Sequence, residues 1–180
     1  MMVWFARRRQ LRALAALDDR LLDDIGIDGQ ERILDANVLV IGAGGLGSPA
    51  AMYLASAGVG HIMLVDDDDV DLTNLQRQVM HTTARVGRKK AESGREALLQ
   101  INPGIEVTAV CERVGDARLA ELVRGATVVL DCTDNFKTRH AVNRACFAAK
   151  VPLVSGAVIR FDGQISVYDP RSDVSPCYSC

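Results

Sequence analysis

The chain has 180 residues, 48% of them hydrophobic and 24% charged, which is enough for one globular domain with a real core and too few for two ordinary ones. Twenty-one basic against 23 acidic side chains leave a formal charge of −2, so nothing in the overall charge draws the chain to nucleic acid or an anionic membrane. No apolar run approaches the ~18 residues of a membrane span, and five cysteines without a secretory signal predict a reducing cytoplasm.

Leu14, Leu17, Leu21, Leu22 and Ile25 recur at three and four residues and predict an amphipathic helix over 11–27. Segment 1–27 is therefore set apart from a main unit over 28–180. The compact run Val38-Leu39-Val40-Ile41, stopped by Gly42, reads as a buried parallel strand. A helix follows over 48–57, closed by Gly58, and then a strand over 62–65. Beyond the acidic loop 66–71, a helix is expected over 88–99 and a strand over 105–110. A short helix over 119–124, a strand over 127–131, a helix over 138–149 and a strand over 151–155 complete the alternation. Alternation of this kind predicts an α/β fold of Rossmann type, a mainly parallel sheet with helices on both faces. The apolar–polar alternation over 164–168 adds an antiparallel extension at the C-terminal end.

Chemistry is concentrated in three stretches. Gly42-Ala43-Gly44-Gly45-Leu46-Gly47 satisfies G-x-G-x-x-G between a strand and a helix, where glycines Gly42, Gly44, Gly45 and Gly47 let backbone amides approach a phosphate. Asp66 stands where an acid holding ribose hydroxyls is expected. After the acidic loop come Asn74, Arg77 and Gln78, and then Lys90. Two cations beside a glycine loop suit a triphosphate better than a nicotinamide dinucleotide, because both neutralise charge building on a leaving pyrophosphate. The third stretch, Asp131-Cys132-Thr133-Asp134-Asn135, falls where a strand meets a helix, so Asp134 is expected to face the same crevice and hold Mg²⁺. Helix capping is the competing role for Asp131, Asp134 and Asn135. His61, His81 and His140 form no ligand spacing, and Cys111, Cys132 and Cys146 read as small buried hydrophobes.

Together with Val86-Gly87, Ile101-Asn102-Pro103, Pro152 to Gly156 and Pro176-Cys177-Tyr178-Ser179-Cys180, these motifs closely resemble the ThiF/MoeB/HesA family over about 28–180. That family comprises bacterial relatives of the ubiquitin-activating enzymes. The resemblance implies catalytic roles for Arg77, Lys90 and Asp134, with ATP bound by the glycines, Asp66, Asn74, Arg77, Gln78, Lys90 and Asn135. Arg139 resembles a supporting member of the same pocket. The implied reaction is ATP-dependent adenylation of the Gly-Gly carboxylate of a ubiquitin-like sulfur carrier (MoaD- or ThiS-like) in molybdenum cofactor or thiamine biosynthesis. A homodimer is implied as well. Cys177 and Cys180 resemble half of a zinc site, and the chain resembles a C-terminally truncated member. Such a piece retains adenylation parts, or is a binding remnant without turnover. Alignment on Leu21-Leu22-Asp23 puts Asp18 where relatives carry an arginine that enters the partner subunit's site, with Arg20 close but out of step. Residues 7–27 also resemble small arginine-rich bacterial proteins.

Overall fold

The computed structural model describes residues 33–172 and 174–179. The helix expected over 11–27, with Asp18 and Arg20, lies outside these residues, as does Cys180.

Six strands form one sheet in the order β3-β2-β1-β4-β5-β6. Strands β1 (Asn37–Ile41), β2 (His61–Val65), β3 (Glu106–Val110), β4 (Val128–Asp131) and β5 (Leu153–Ile159) run parallel. β6 (Asp162–Tyr168) pairs antiparallel with β5. Helices α1 (Gly47–Ala57) and α2 (Lys90–Ile101) cover one face, and α3 (Asp116–Arg124) and α4 (Phe136–Ala149) cover the other.

The two-sided cover explains the composition of β1. Successive side chains on a strand point to opposite faces. Val38 and Val40 therefore enter the core beneath α1 and α2, while Leu39 and Ile41 enter the one beneath α3 and α4. Neither face of β1 tolerates a polar residue, hence the unbroken apolar run.

Several boundaries differ from the sequence reading by one to four residues, and two of the shifts have a clear cause. α3 begins at Asp116 rather than 119, because its first turn, Asp116-Ala117-Arg118, is held by Gly115 and Leu119 backbone groups and has no apolar periodicity. β5 continues past Ser155 to Ile159, where Gly156 to Ile159 pair with Ile165 to Asp162. That extension depends on a partner strand, which a local pattern does not reveal. The polar stretch after Asp71 contains two short 3₁₀ turns, Leu72–Asn74 and Thr83–Arg85.

The strand order reverses at β1. Ile41 pairs with Asp131 of β4 on one side and with Val65 of β2 on the other, so the segments after β1, β2 and β4 emerge together at the carboxyl edge of the sheet. In open α/β sheets this switch point is where ligands bind.

Candidate active site

The glycine loop, residues 42–47, leaves β1 at this edge. Gly42 has φ +97°, a backbone conformation that suits glycine, and a Cβ there would sit 2.8 Å from the Cys132 carbonyl oxygen. Gly47 is tighter still, since its Cβ would lie 1.8 Å from the Gly42 carbonyl oxygen. The loop can therefore fold back on itself only without side chains at these positions.

Asp66 follows β2 and ties the loop down. Its Oδ2 accepts from the Ala43 amide at 2.7 Å and its Oδ1 from the Asp68 amide at 2.9 Å. Burial raises the Asp66 pKa, and those two amides together with the Lys90 charge work in the opposite direction. Arg77 lies across the loop: a Cβ on Gly45 would be 3.5 Å from its Cγ and Cδ. Its guanidinium is steadied by Asn74 Oδ1, 2.7 Å from Nη2. Gln78 reaches over Gly44, with Nε2 3.7 Å from the Cβ position, and is only 4% exposed. Its Oε1 is the buried side-chain acceptor left without a hydrogen bond among the described residues. A buried acceptor left unsatisfied carries an energetic cost that a bound partner would relieve.

Lys90 opens α2. Its side chain is buried, and Nζ donates to Asp68 Oδ2 at 2.8 Å. The acidic loop is itself zipped to this region, with Val70 N bonded to Arg88 O and Lys90 N to Asp68 O. Asp66, Asp67 and Asp68 form the one acidic cluster of metal-binding dimensions among the described residues. Lys90 already occupies Asp68, which offsets part of that negative charge.

The third stretch divides its roles in a way that residue types alone do not reveal. Asp131 is buried at 1% exposure; Oδ1 accepts from the Thr133 amide and hydroxyl, and Oδ2 from the Ser155 hydroxyl. Asn135 is the N-cap of α4, its Oδ1 accepting from the Thr138 amide at 2.9 Å. Asp134, one residue earlier, stays exposed at the carboxyl edge. Arg139 turns inward, donating to Ser155 Oγ and to the Thr133 and Gly156 carbonyls, beside Asp131 at 3.6 Å. Arg139, read from the sequence as a supporting member of the pocket, fastens the loop carrying Asp134 to β5. Asn135 likewise spends its side-chain oxygen on the helix.

Cys146 is fully buried, and burial pushes both its thiol and that of Cys132 up to about 12. Neither is a nucleophile at neutral pH. Cys177 is disulfide-bonded in this structure. A groove of about 440 Å³ starts beside Leu46 of the loop and runs under the β5–β6 hairpin past Gly156 and Ile165.

The ThiF family matches residues 18–180, nearly the whole chain. The chain belongs to the ThiF family. Residues 1–32 also match the YjiS-like domain. The chain is 53% identical over 160 residues to the molybdopterin-synthase adenylyltransferase of Escherichia coli K12, covering 89% of this chain and 64% of that protein. It is 49% identical to the sulfur carrier protein ThiS adenylyltransferase of the same organism, again over 89% of this chain and 63% of the relative. The chain thus spans somewhat less than two thirds of these curated relatives. The crystal structure of E. coli MccB with AMPCPP and MccA superposes with a TM-score of 0.77 at 28% identity, over 84% of this chain and 45% of that one.

In this ThiF-family chain, the loop glycines, Asp66, Asn74, Arg77 and Gln78 make direct contacts, and Lys90 joins them through Asp68. Asp134 follows Cys132, whose carbonyl backs Gly42. Sequence reasoning missed Asp68, His81 and Ser93. For Asp68 the acidic run was visible but not which carboxylate meets Lys90; for His81 and Ser93 no spacing signal existed.

Proposed function

We propose that this chain is the nucleotide-binding and adenylating unit of an enzyme that activates a ubiquitin-like sulfur carrier. The carrier's C-terminal Gly-Gly carboxylate attacks the α-phosphorus of ATP, an acyl-adenylate forms, and the bond to the departing pyrophosphate breaks. The observation that carries the reading is a glycine loop whose Ala43 amide is held by Asp66 while Arg77 lies across Gly45.

The residues suit the chemistry. Bringing a carboxylate to a polyphosphate concentrates negative charge, so fixed cations and aligned amides lower the barrier without any nucleophilic side chain. Asp66 has both oxygens oriented by backbone amides and retains lone pairs for ribose hydroxyls. Arg77 and Lys90 face the phosphates, and Gln78 Oε1, with no internal partner, accepts from the ligand. Asp134, free of capping duty, would hold Mg²⁺, which supplies charge neutralisation at the phosphoryl oxygens when bound. The largely apolar groove beside Leu46 is where the carrier's extended C-terminal tail would lie.

The molybdopterin-synthase and ThiS enzymes support either pathway. We place the protein in the cytoplasm; none of the described helices is long and apolar enough to cross a membrane. Val158, Ile159, Phe161, Ile165 and Val167, all exposed on the hairpin, favour a homodimer or carrier contact. The unit over 28–180 is taken as distinct from the 1–27 segment.

The test is ATP–pyrophosphate exchange by the full chain with a sulfur carrier ending in Gly-Gly. Carrier-dependent exchange is expected. ATP binding without exchange would overturn turnover and leave a binding remnant.

A further inference from the structure

His81 belongs to neither the expected site nor the implied reaction, yet it is 5% exposed and fully engaged. Its Nε2 lies 2.9 Å from the Ala43 carbonyl oxygen and its Nδ1 2.9 Å from Ser93 Oγ. A carbonyl only accepts, so Nε2 carries the proton. In the neutral ring Nδ1 then accepts from the Ser93 hydroxyl. Burial, the largest influence, lowers the ring's pKa, in keeping with a neutral imidazole.

The two ends of this bridge matter. Ala43 is the glycine-loop residue whose amide Asp66 binds, so its two peptide groups are held from opposite directions, by Asp66 at the N–H and by His81 and Ser48 Oγ (3.2 Å) at the C=O. Ser93 lies one turn into α2, the helix that begins with Lys90, and its amide bonds to Lys89 O. Ser93 and Ser48 are fully buried, which excludes water as an easy substitute.

We infer that His81 is a positioning residue for ATP, joining the glycine loop to the helix that carries Lys90 through the Ala43 carbonyl and the Ser93 hydroxyl. The inference rests on the nucleotide-site reading. By this link the loop amides and the lysine keep one spacing, matched to a polyphosphate, before ligand arrives. His81 touches no substrate. Its loss removes no cation but lets the two halves of the cradle drift.

The experiment compares the wild-type chain with His81→Phe, His81→Gln and Ser93→Ala, measuring ATP affinity by calorimetry, carrier-dependent exchange kinetics, and folding by circular dichroism and thermal melting. Phe preserves the ring shape without donor or acceptor; Gln places an N–H donor near the position of Nε2. About tenfold weaker ATP binding is expected for His81→Phe, the size of one lost buried hydrogen bond. The loss should fall on KM for ATP more than on kcat, with affinity recovered in His81→Gln and partly lost in Ser93→Ala. A merely structural role would lower the melting temperature of His81→Phe and His81→Gln alike and leave ATP affinity unchanged in the folded fraction, and that result overturns the inference. So does ATP affinity in folded Ser93→Ala and His81→Phe equal to wild type. If the wild-type chain binds no ATP, the nucleotide-site reading fails and takes this inference with it; binding without exchange removes only the turnover.

Discussion

Replacing Gly47 by alanine adds one methyl at the most crowded point of the glycine loop. The new Cβ would stand 1.8 Å from the Gly42 carbonyl oxygen and 2.9 Å from its carbon, both backbone atoms with no rotamer to yield. Real Cβ contacts essentially never fall below 3.0 Å, so the peptide after Gly42 must retreat by at least 1.2 Å. Retreat is opposed, because Gly42 N is bonded to Val65 O at 2.8 Å, and a Cβ built on Gly42 would itself stand 2.8 Å from the Cys132 carbonyl oxygen, so there is little room around this peptide. Overpacking of this kind costs about 1–3 kcal/mol, which corresponds to a fall in Tm of roughly 2–12 °C for a domain of this size. The functional loss should be larger in proportion, since a displacement near 1 Å in a positioning element costs up to about 100-fold. Thermal melting and ATP calorimetry on Gly47→Ala measure both, with Gly163→Ala, which meets nothing within 4 Å, as the control that changes neither. A Gly47→Ala protein with wild-type Tm and wild-type ATP affinity would refute the argument that the loop's close approach builds the site.

Arg77→Ala should slow carrier-dependent exchange by on the order of 2–4 kcal/mol in barrier while leaving the fold intact, because its guanidinium is exposed and held by Asn74 and Gln76 rather than by the core. An unchanged rate would make it an ordinary surface cation. Asp134→Ala should abolish Mg²⁺-dependent exchange without lowering Tm, since Asn135 and not Asp134 caps α4; normal exchange by that variant at saturating Mg²⁺ removes the metal role. The Asp169 carboxylate, hydrogen-bonded by Arg171 Nε at 2.8 Å and Nη2 at 2.7 Å, is held down to about 2. Its folded-state pKa lies below its unfolded value, so its contribution to stability is present above about pH 4 and is lost as pH falls through 2. A carboxyl titration by NMR should find that midpoint, and Arg171→Ala, which keeps the residue 171 amide bonded to Oδ1, should move it up toward 3.8; a wild-type midpoint already near 3.8 counts against the pair.

Much of this protein is written locally. The unbroken Val38 to Ile41 run can only be a strand covered on both faces, and a glycine loop between such a strand and an Ala-rich helix leaves few alternatives to a nucleotide fold. Asp66 was legible for the same reason, at a fixed offset from the end of a strand, whereas Arg77 and Lys90 took their meaning only from the company of the other motifs. What the chain's own order does not contain is the partner of each polar group. The same Asp131 to Asn135 segment presents three side chains able to cap a helix, and only the packed loop sends Asp131 into the core with Ser155 and Arg139, Asn135 onto Thr138 and Asp134 outward. β5 runs on to Ile159 because β6 returns beside it, and His81 finds Ala43, thirty-eight positions away, only once α2 is laid against α1. Periodicity reports which face of an element is dry, a property of neighbours in the chain. Hydrogen-bond partners and the spacing of charges depend on residues brought together by the sheet's crossover order, and only the tertiary structure decided those.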